Sequence, residues 1–240
     1  MPLALITGGA SLICEGVAQS LARDGWNLAI TDLNLEGAKA VAARIEGAGR
    51  VETHALDARN IDAVQSLVQD LSQRYGTIDG LVNGAGGGRG IGFQRKPFVE
   101  TSQDEWERIL NSNLNTMLNV TRTVLPVMIK AGRGAIVSIA ASRGLRGGPQ
   151  ASIYSAAKAG IIVFTQAIAQ EVGKHGVRVN TIAPSNAEAR WKKDDSDARS
   201  PLGRNTNAQD VGDAVAFLLS DRAQHMTGAC MDISGGTALH

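Results

Sequence analysis

The chain has 240 residues, 43% of them hydrophobic, so it can bury a sizeable core, and its 24 basic and 23 acidic side chains leave a formal net charge of +1. That balance excludes a general electrostatic pull toward nucleic acid. Two isolated cysteines, Cys14 and Cys230, have no metal-ligand spacing and suit a reducing compartment.

The N-terminal stretch lacks the basic-then-apolar order of a signal peptide, and no apolar run is read as long enough to span a membrane. The expectation is a cytoplasmic protein with no membrane or nucleic-acid partner. Short apolar runs follow at 3–7, 27–32, 51–57, 78–83, 135–140, 177–183 and 229–234. Between them lie helix-periodic segments at 15–24, 36–46, 60–75, 103–130, 152–174 and 208–220. Leu67, Val68 and Leu71 make one apolar stripe; Ala214, Phe217 and Leu218 make another. Repeated strand–helix–strand units force right-handed crossovers and a parallel sheet. The pattern predicts one α/β domain over 1–240, Rossmann-type and doubly wound. Its sheet is seven-stranded and mostly parallel, with helices on both faces. Two loops interrupt the rhythm: a glycine-dense one at 84–97, and a charged one at 185–206 that holds Trp191 and is expected to act as a lid.

Thr7-Gly8-Gly9-Ala10-Ser11 follows the first strand and opens a helix, a context that presents backbone N–H groups to a phosphate. Asp32 ends the second strand, where a carboxylate accepts from ribose hydroxyls and repels a 2′-phosphate. With Leu33 and Asn34 beside it instead of a cation, NAD is favoured over NADP; a helix N-cap is the alternative use of Asp32. Tyr154 and Lys158 stand four apart on a helical segment and share one face. An ammonium stabilises a nearby phenolate, so the pair can exchange a proton with an alcohol or ketone.

In this order, Thr7-Gly8, Asn83-Gly84-Ala85-Gly86 and Tyr154-Ser155-Ala156-Ala157-Lys158 resemble the short-chain dehydrogenase/reductase family. The resemblance implies that Tyr154 is the acid/base, that Lys158 also bonds the nicotinamide ribose, and that Asn113 holds a water linking Lys158 to solvent. It implies a nucleotide site of Gly8, Ser11, Ile13, Asp32, Leu33, Asp57, Ala58, Asn83, Ala85, Tyr154, Lys158, Pro184 and Ala187, with Asp57 at the adenine. It also implies a homodimer or homotetramer that pairs segments 103–130 and 152–174, whose spare apolar positions include Met117, Val120, Val124, Ile162 and Ile168.

Several positions depart from the family pattern. Leu12 and Cys14 replace two glycines, and a left-handed conformation imposed on them would cost roughly 1–2 kcal/mol each. Ala141 stands where the family carries a serine hydroxyl; Ser142 and Ser138 are the nearby candidates to replace it. Pro184-Ser185-Asn186-Ala187 keeps only the proline of the nicotinamide-holding motif. The leading expectation is an NAD(H)-linked oxidoreductase acting on a small secondary alcohol or ketone. Non-redox proton transfer on the same fold (decarboxylation, isomerisation or elimination) and a non-catalytic subunit are the alternatives.

Overall fold

The computed structural model describes residues 1–88, 91–185 and 200–238. Seven strands form one sheet: β1 (Leu3–Thr7), β2 (Asn27–Asp32), β3 (Val51–Ala55), β4 (Gly80–Asn83), β5 (Gly134–Ile139), β6 (Val177–Pro184) and β7 (Cys230–Ile233). All neighbours pair parallel, in the order β3-β2-β1-β4-β5-β6-β7. The order reverses between β1 and β4, which opens a crevice at their carboxyl ends.

Successive strand residues point to opposite faces, and the core divides accordingly. On one side Ile6, Ile30, Val82 and Val137 pack with α1 (Leu12–Arg23) and α8 (Ala208–Leu219) through Val17, Leu21, Val211 and Val215. On the other, Leu5, Leu81, Ile136 and Val179 meet α3 (Ile61–Tyr75), α5 (Thr116–Ala131) and α7 (Ser152–Val172) through Val68, Leu71, Val120, Val124 and Ala169. Helix α2 (Leu35–Ala42) flanks β2 and β3. Ser11, Asn34 and Asn60 cap α1, α2 and α3, and capping boxes Ser102/Glu105 and Asn207/Asp210 open α4 (Gln103–Leu110) and α8. Such caps contribute about 1 kcal/mol each.

Three expectations need correction, and one element is added. The segment 103–130 is not one helix: a π-helical stretch, Asn111–Asn115, separates α4 from α5. There the buried Asn113 side chain donates to Ile109 O at 3.0 Å, competing with the regular ladder. A short helix, α6 (Ser142–Arg146), follows β5; five residues are too few to give a readable period. Met117, Val120, Val124 and Ile162 are buried within the chain and are not spare interface positions; Ile168 is partly covered by the same core. Finally, the helical stretch Ser152–His175 is long and apolar enough to cross a membrane by length and composition. In this fold it packs along β6 and carries buried Lys158, Ile161, Thr165 and Ala169.

Helices α1 and α8 cross backbone to backbone. A methyl group on Gly16 would overlap the Ala208 carbonyl, and one on Gly212 would overlap the Gly16 carbonyl. Gly→Ala inside a helix ordinarily gains up to about 1 kcal/mol. Here Gly16→Ala is expected to lower stability by about 1–3 kcal/mol, read from urea unfolding, because the helices must part. An unchanged or higher midpoint would show that they have room to shift.

Candidate active site

The crevice at the β1/β4 switch point is a cleft of about 370 Å³. Gly8, Ser11, Asp32, Leu33, Asp57, Ala58 and Ala85 line it together with Thr7 and Gly84–Gly87. The turn after β1 depends on Gly8, at φ +70°, where a side-chain carbon would meet Gly84 O at 2.6 Å. The Thr7 hydroxyl accepts from the N–H groups of Gly84 and Ala85, both at 3.2 Å, and so ties the two strand ends together. Asp32 is not a helix cap: Asn34 caps α2. The Asp32 carboxylate instead accepts from Ala10 N at 3.0 Å and Asn34 N at 2.8 Å, which fixes both of its oxygens at the rim.

Leu12 and Cys14 do not carry the strain expected of them. Among the described residues the one non-glycine at positive φ is Gln150, and Leu12 and Cys14 lie in the first turn of α1. Leu12 is 46% exposed and does not line the cleft. Cys14 is buried, its thiol donating weakly to Thr7 O at 3.6 Å, in the space that a side chain on Gly84 would need. Burial pushes its pKa up to about 11, so it remains a neutral thiol.

Other assigned residues act from outside the cleft. The Asn83 amide lies beneath it, donating to Thr121 Oγ1 at 3.0 Å and Ser138 Oγ at 3.1 Å. Asn83 thus joins β4 to α5 and β5, and Ser138 is occupied there and not available to a substrate. Ile13 packs against the core, leaving only its backbone near the turn. The Ser11 hydroxyl is spent on capping: it donates to Gly8 O at 2.8 Å and accepts from Cys14 N at 3.3 Å. Asp57 is held by Arg59 through Nε and Nη2 bonds of 2.9 and 2.8 Å, which lowers its pKa. Arg59, which also lines the cleft, went unread in the sequence, where the Asp57/Arg59 spacing was its signal. Pro184 closes β6; Ala187 and most of the segment expected to form a lid, including Trp191, lie outside the described residues.

Tyr154 and Lys158 project from the first turns of α7. The Lys158 ammonium is buried, donates to Ile139 O at 3.0 Å, and stands 5.7 Å from the centre of the Tyr154 ring. Ile139 in turn adjoins Gly84, so the pair sits beside the cleft wall. Burial lowers the Lys158 pKa from 10.5 to about 8; Cys14 opposes the shift. Phe93, missed in the glycine-rich loop, packs on Tyr154 with centroids 5.7 Å apart. The Asn113 side chain is spent within the protein, accepting from Gly87 N at 2.8 Å and donating to Gly87 O at 3.2 Å. Both amide hydrogens are thereby committed to protein acceptors, leaving an Oδ1 lone pair and the backbone for the water-holding role implied for this residue. Ser142 heads α6, half-buried, with no hydrogen bond from its hydroxyl among the described residues.

Comparisons with known proteins agree with this geometry. The family model described as enoyl-(acyl carrier protein) reductase matches residues 8–238. A 3-oxoacyl-(acyl-carrier-protein) reductase of Chlamydia trachomatis is 37% identical, covering 98% of this chain and 96% of its own. An acetoacetyl-CoA reductase of Allochromatium vinosum is 35% identical, with 99% of both chains covered. The crystal structure of an NAD+-bound xylitol dehydrogenase superposes with a TM-score of 0.88 at 27% identity, over 98% of each chain.

The buried ammonium generates a pH-dependent stability. Between about pH 8 and 10.5 the unfolded chain holds a Lys158 proton that the folded chain has lost, so this group's contribution to stability rises with pH there. Below pH 8 both states are protonated and the full cost of the buried charge applies. The stability of Lys158→Met relative to the parent should therefore be greatest at pH 7–8 and fall steadily toward pH 10.5 in thermal melts. A difference independent of pH would mean that the ammonium is solvated in the fold.

Proposed function

The chain belongs to the short-chain dehydrogenase/reductase family, a family of oxidoreductases, and from that premise we propose that it transfers hydride between NAD(H) and a secondary alcohol or ketone, with Tyr154 as acid/base. The observation that carries this reading is the buried Lys158 ammonium beside the Tyr154 ring at the wall of a cleft built on Gly8 and Asp32.

The residues present fit a dinucleotide. The Leu12 and Ile13 N–H groups at the start of α1 have no acceptor among the described residues, which suits a pyrophosphate. The Asp32 oxygens keep lone pairs for ribose hydroxyls, and the neighbouring Leu33 offers no cation to a 2′-phosphate. Lys158 uses one of its three donors on Ile139 O, leaving others for the second ribose. When bound, the nicotinamide supplies or receives the hydride. Tyr154 gives its hydroxyl proton to the substrate oxygen in reduction and takes it back in oxidation. The ammonium of Lys158 favours the phenolate through both directions. The unstrained turn at Leu12 and Cys14 removes one of the three grounds for the non-redox alternative, and Ala141 and the departure after Pro184 remain the other two.

Assembly into a dimer or tetramer is part of the same proposal. The exposed Val163 on α7, 62% accessible, is the apolar position that a helix-pairing interface would cover. Light scattering that gives a monomer at micromolar concentration would overturn it.

Tyr154→Phe is expected to abolish NADH-linked turnover while leaving cofactor affinity nearly unchanged, since only a hydroxyl is lost. Ala141→Ser should raise the rate on small ketones by about tenfold to a thousandfold, because it adds a donor for the substrate oxygen. Asp32→Ala should erase a preference for NADH over NADPH in binding titrations. Full activity in Tyr154→Phe would end the catalytic assignment, and tighter binding of NADPH by the parent protein would end the assignment to NAD.

A further inference from the structure

The loop ahead of Tyr154 is surrounded by arginines that the reaction described above does not use. Arg143 is the second residue of α6, which presses so closely on α7 that a side-chain carbon on Gly144 would meet the Lys158 carbonyl carbon at 2.7 Å. Its guanidinium lies against Gly148, six residues before Tyr154, where a methyl group would overlap Nη1. The same loop receives the segment after β4: Lys96 N donates to Gln150 O at 3.2 Å, which sets Arg95 beside it, while Phe93 packs on Tyr154. Arg146 ends α6. Gln150, at φ 60°, holds the bend between these pieces in a conformation that L-residues rarely adopt.

Among the described residues Arg143 has no carboxylate or carbonyl partner. Two arginines among the described residues are half-buried, and the other, Arg178, donates to the carbonyls of Leu218, Leu219 and Ser220. Arg143 has no hydrogen bond and no ion pair among the described residues. Burial disfavours its charge first and Arg95 second, while the Tyr154 side favours it. A guanidinium cannot shed its proton to escape such a place, and what water does not offset of the cost is relieved when an anion pairs with it. Nor is it spent on dinucleotide phosphates, because it does not line the Gly8–Asp32 cleft. Its planar fork matches a carboxylate held by two parallel bonds.

We infer that the substrate carries a carboxylate, bound by Arg143 beside Tyr154, with Arg95 and Arg146 attracting it to the mouth of the site. The inference rests on the reading of Tyr154 as acid/base. It is tested with straight-chain oxo acids such as 4-oxopentanoate, each against its methyl ester, with NADH consumption as the readout. In the parent protein the acid should exceed the ester by at least about tenfold in kcat/KM, a difference of about 1.4 kcal/mol. Arg143→Gln should bring that ratio near one, Arg143→Lys should leave part of it, and Arg50→Gln, which removes the same charge at the far end of the sheet, should preserve it. Calorimetry of 4-oxopentanoate with the parent protein and Arg143→Gln gives a readout that needs no turnover. Binding that depends on Arg143 without turnover would uphold the carboxylate site and overturn the hydride-transfer reading. Ester turnover with no preference for the acid, or a preference that survives Arg143→Gln, would overturn the carboxylate site and leave hydride transfer standing.

Discussion

The structure turns on one close approach of backbone to backbone, where the turn after β1 meets the loop after β4. Gly8 rests against the Gly84 peptide with no room for a side chain on either, and the Thr7 hydroxyl accepts from both N–H groups that follow β4. This stitch holds together the two strands between which the sheet reverses direction, and therefore sets the width of the cleft. Cys14 completes it from below, filling the volume under Gly84 with a neutral thiol. Everything that reads a dinucleotide hangs on that seam: Asp32 is fixed to it through Ala10, and Lys158 is fixed beside it through Ile139.

Much of this was legible in the amino-acid sequence, for identifiable reasons. The five inner strands are covered on two sides and are mostly apolar runs, and with the less buried edge strands β3 and β7 all seven were located, with ends in error by up to two residues. The placement of Asp32 at a strand end and of Tyr154 and Lys158 on one helix was legible from the apolar run before the one and the helical spacing of the others. Leu12 and Cys14 were misjudged because a glycine motif was taken as a demand for unusual dihedrals, whereas both positions lie in an ordinary helical turn. The broken helix at Asn111–Asn115 was invisible because apolar periodicity continues on both sides of it, and only the buried amide of Asn113 marks the break. The arginines near Tyr154 are scattered in sequence and meet only through the packing of α6 and the Lys96–Gln150 bond.

The electrostatics of the site follow from burial more than from pairing. Lys158 is a cation whose one described acceptor is a carbonyl, and Arg143 has none, whereas surface cations such as Arg44, Arg59 and Arg74 lie on carboxylates. Among the described residues, positive charge on the Tyr154 side has no carboxylate beside it, while at the other end of the cleft Asp57 is paired with Arg59 and Asp32 keeps its charge at the rim. A polar ligand entering such a field is oriented before it makes contact.

The grip of Asn113 on Gly87 divides the loop after β4 into two mechanically different parts. Up to Gly87 the chain is anchored at both its N–H and its carbonyl by a buried side chain, and the anchor is itself lodged in an interrupted helix. From Gly88 onward the loop is tied to the body by Lys96 N–H on Gln150 and by Phe93 on the phenol. Beyond Gly87 the loop touches the nucleotide cleft at Ile91, so exchanges of residue that spare Ile91 can accumulate there with little effect on the cleft. The fold thereby separates what it must keep from what it can vary, and a new substrate wall can be fitted to an unchanged reaction centre.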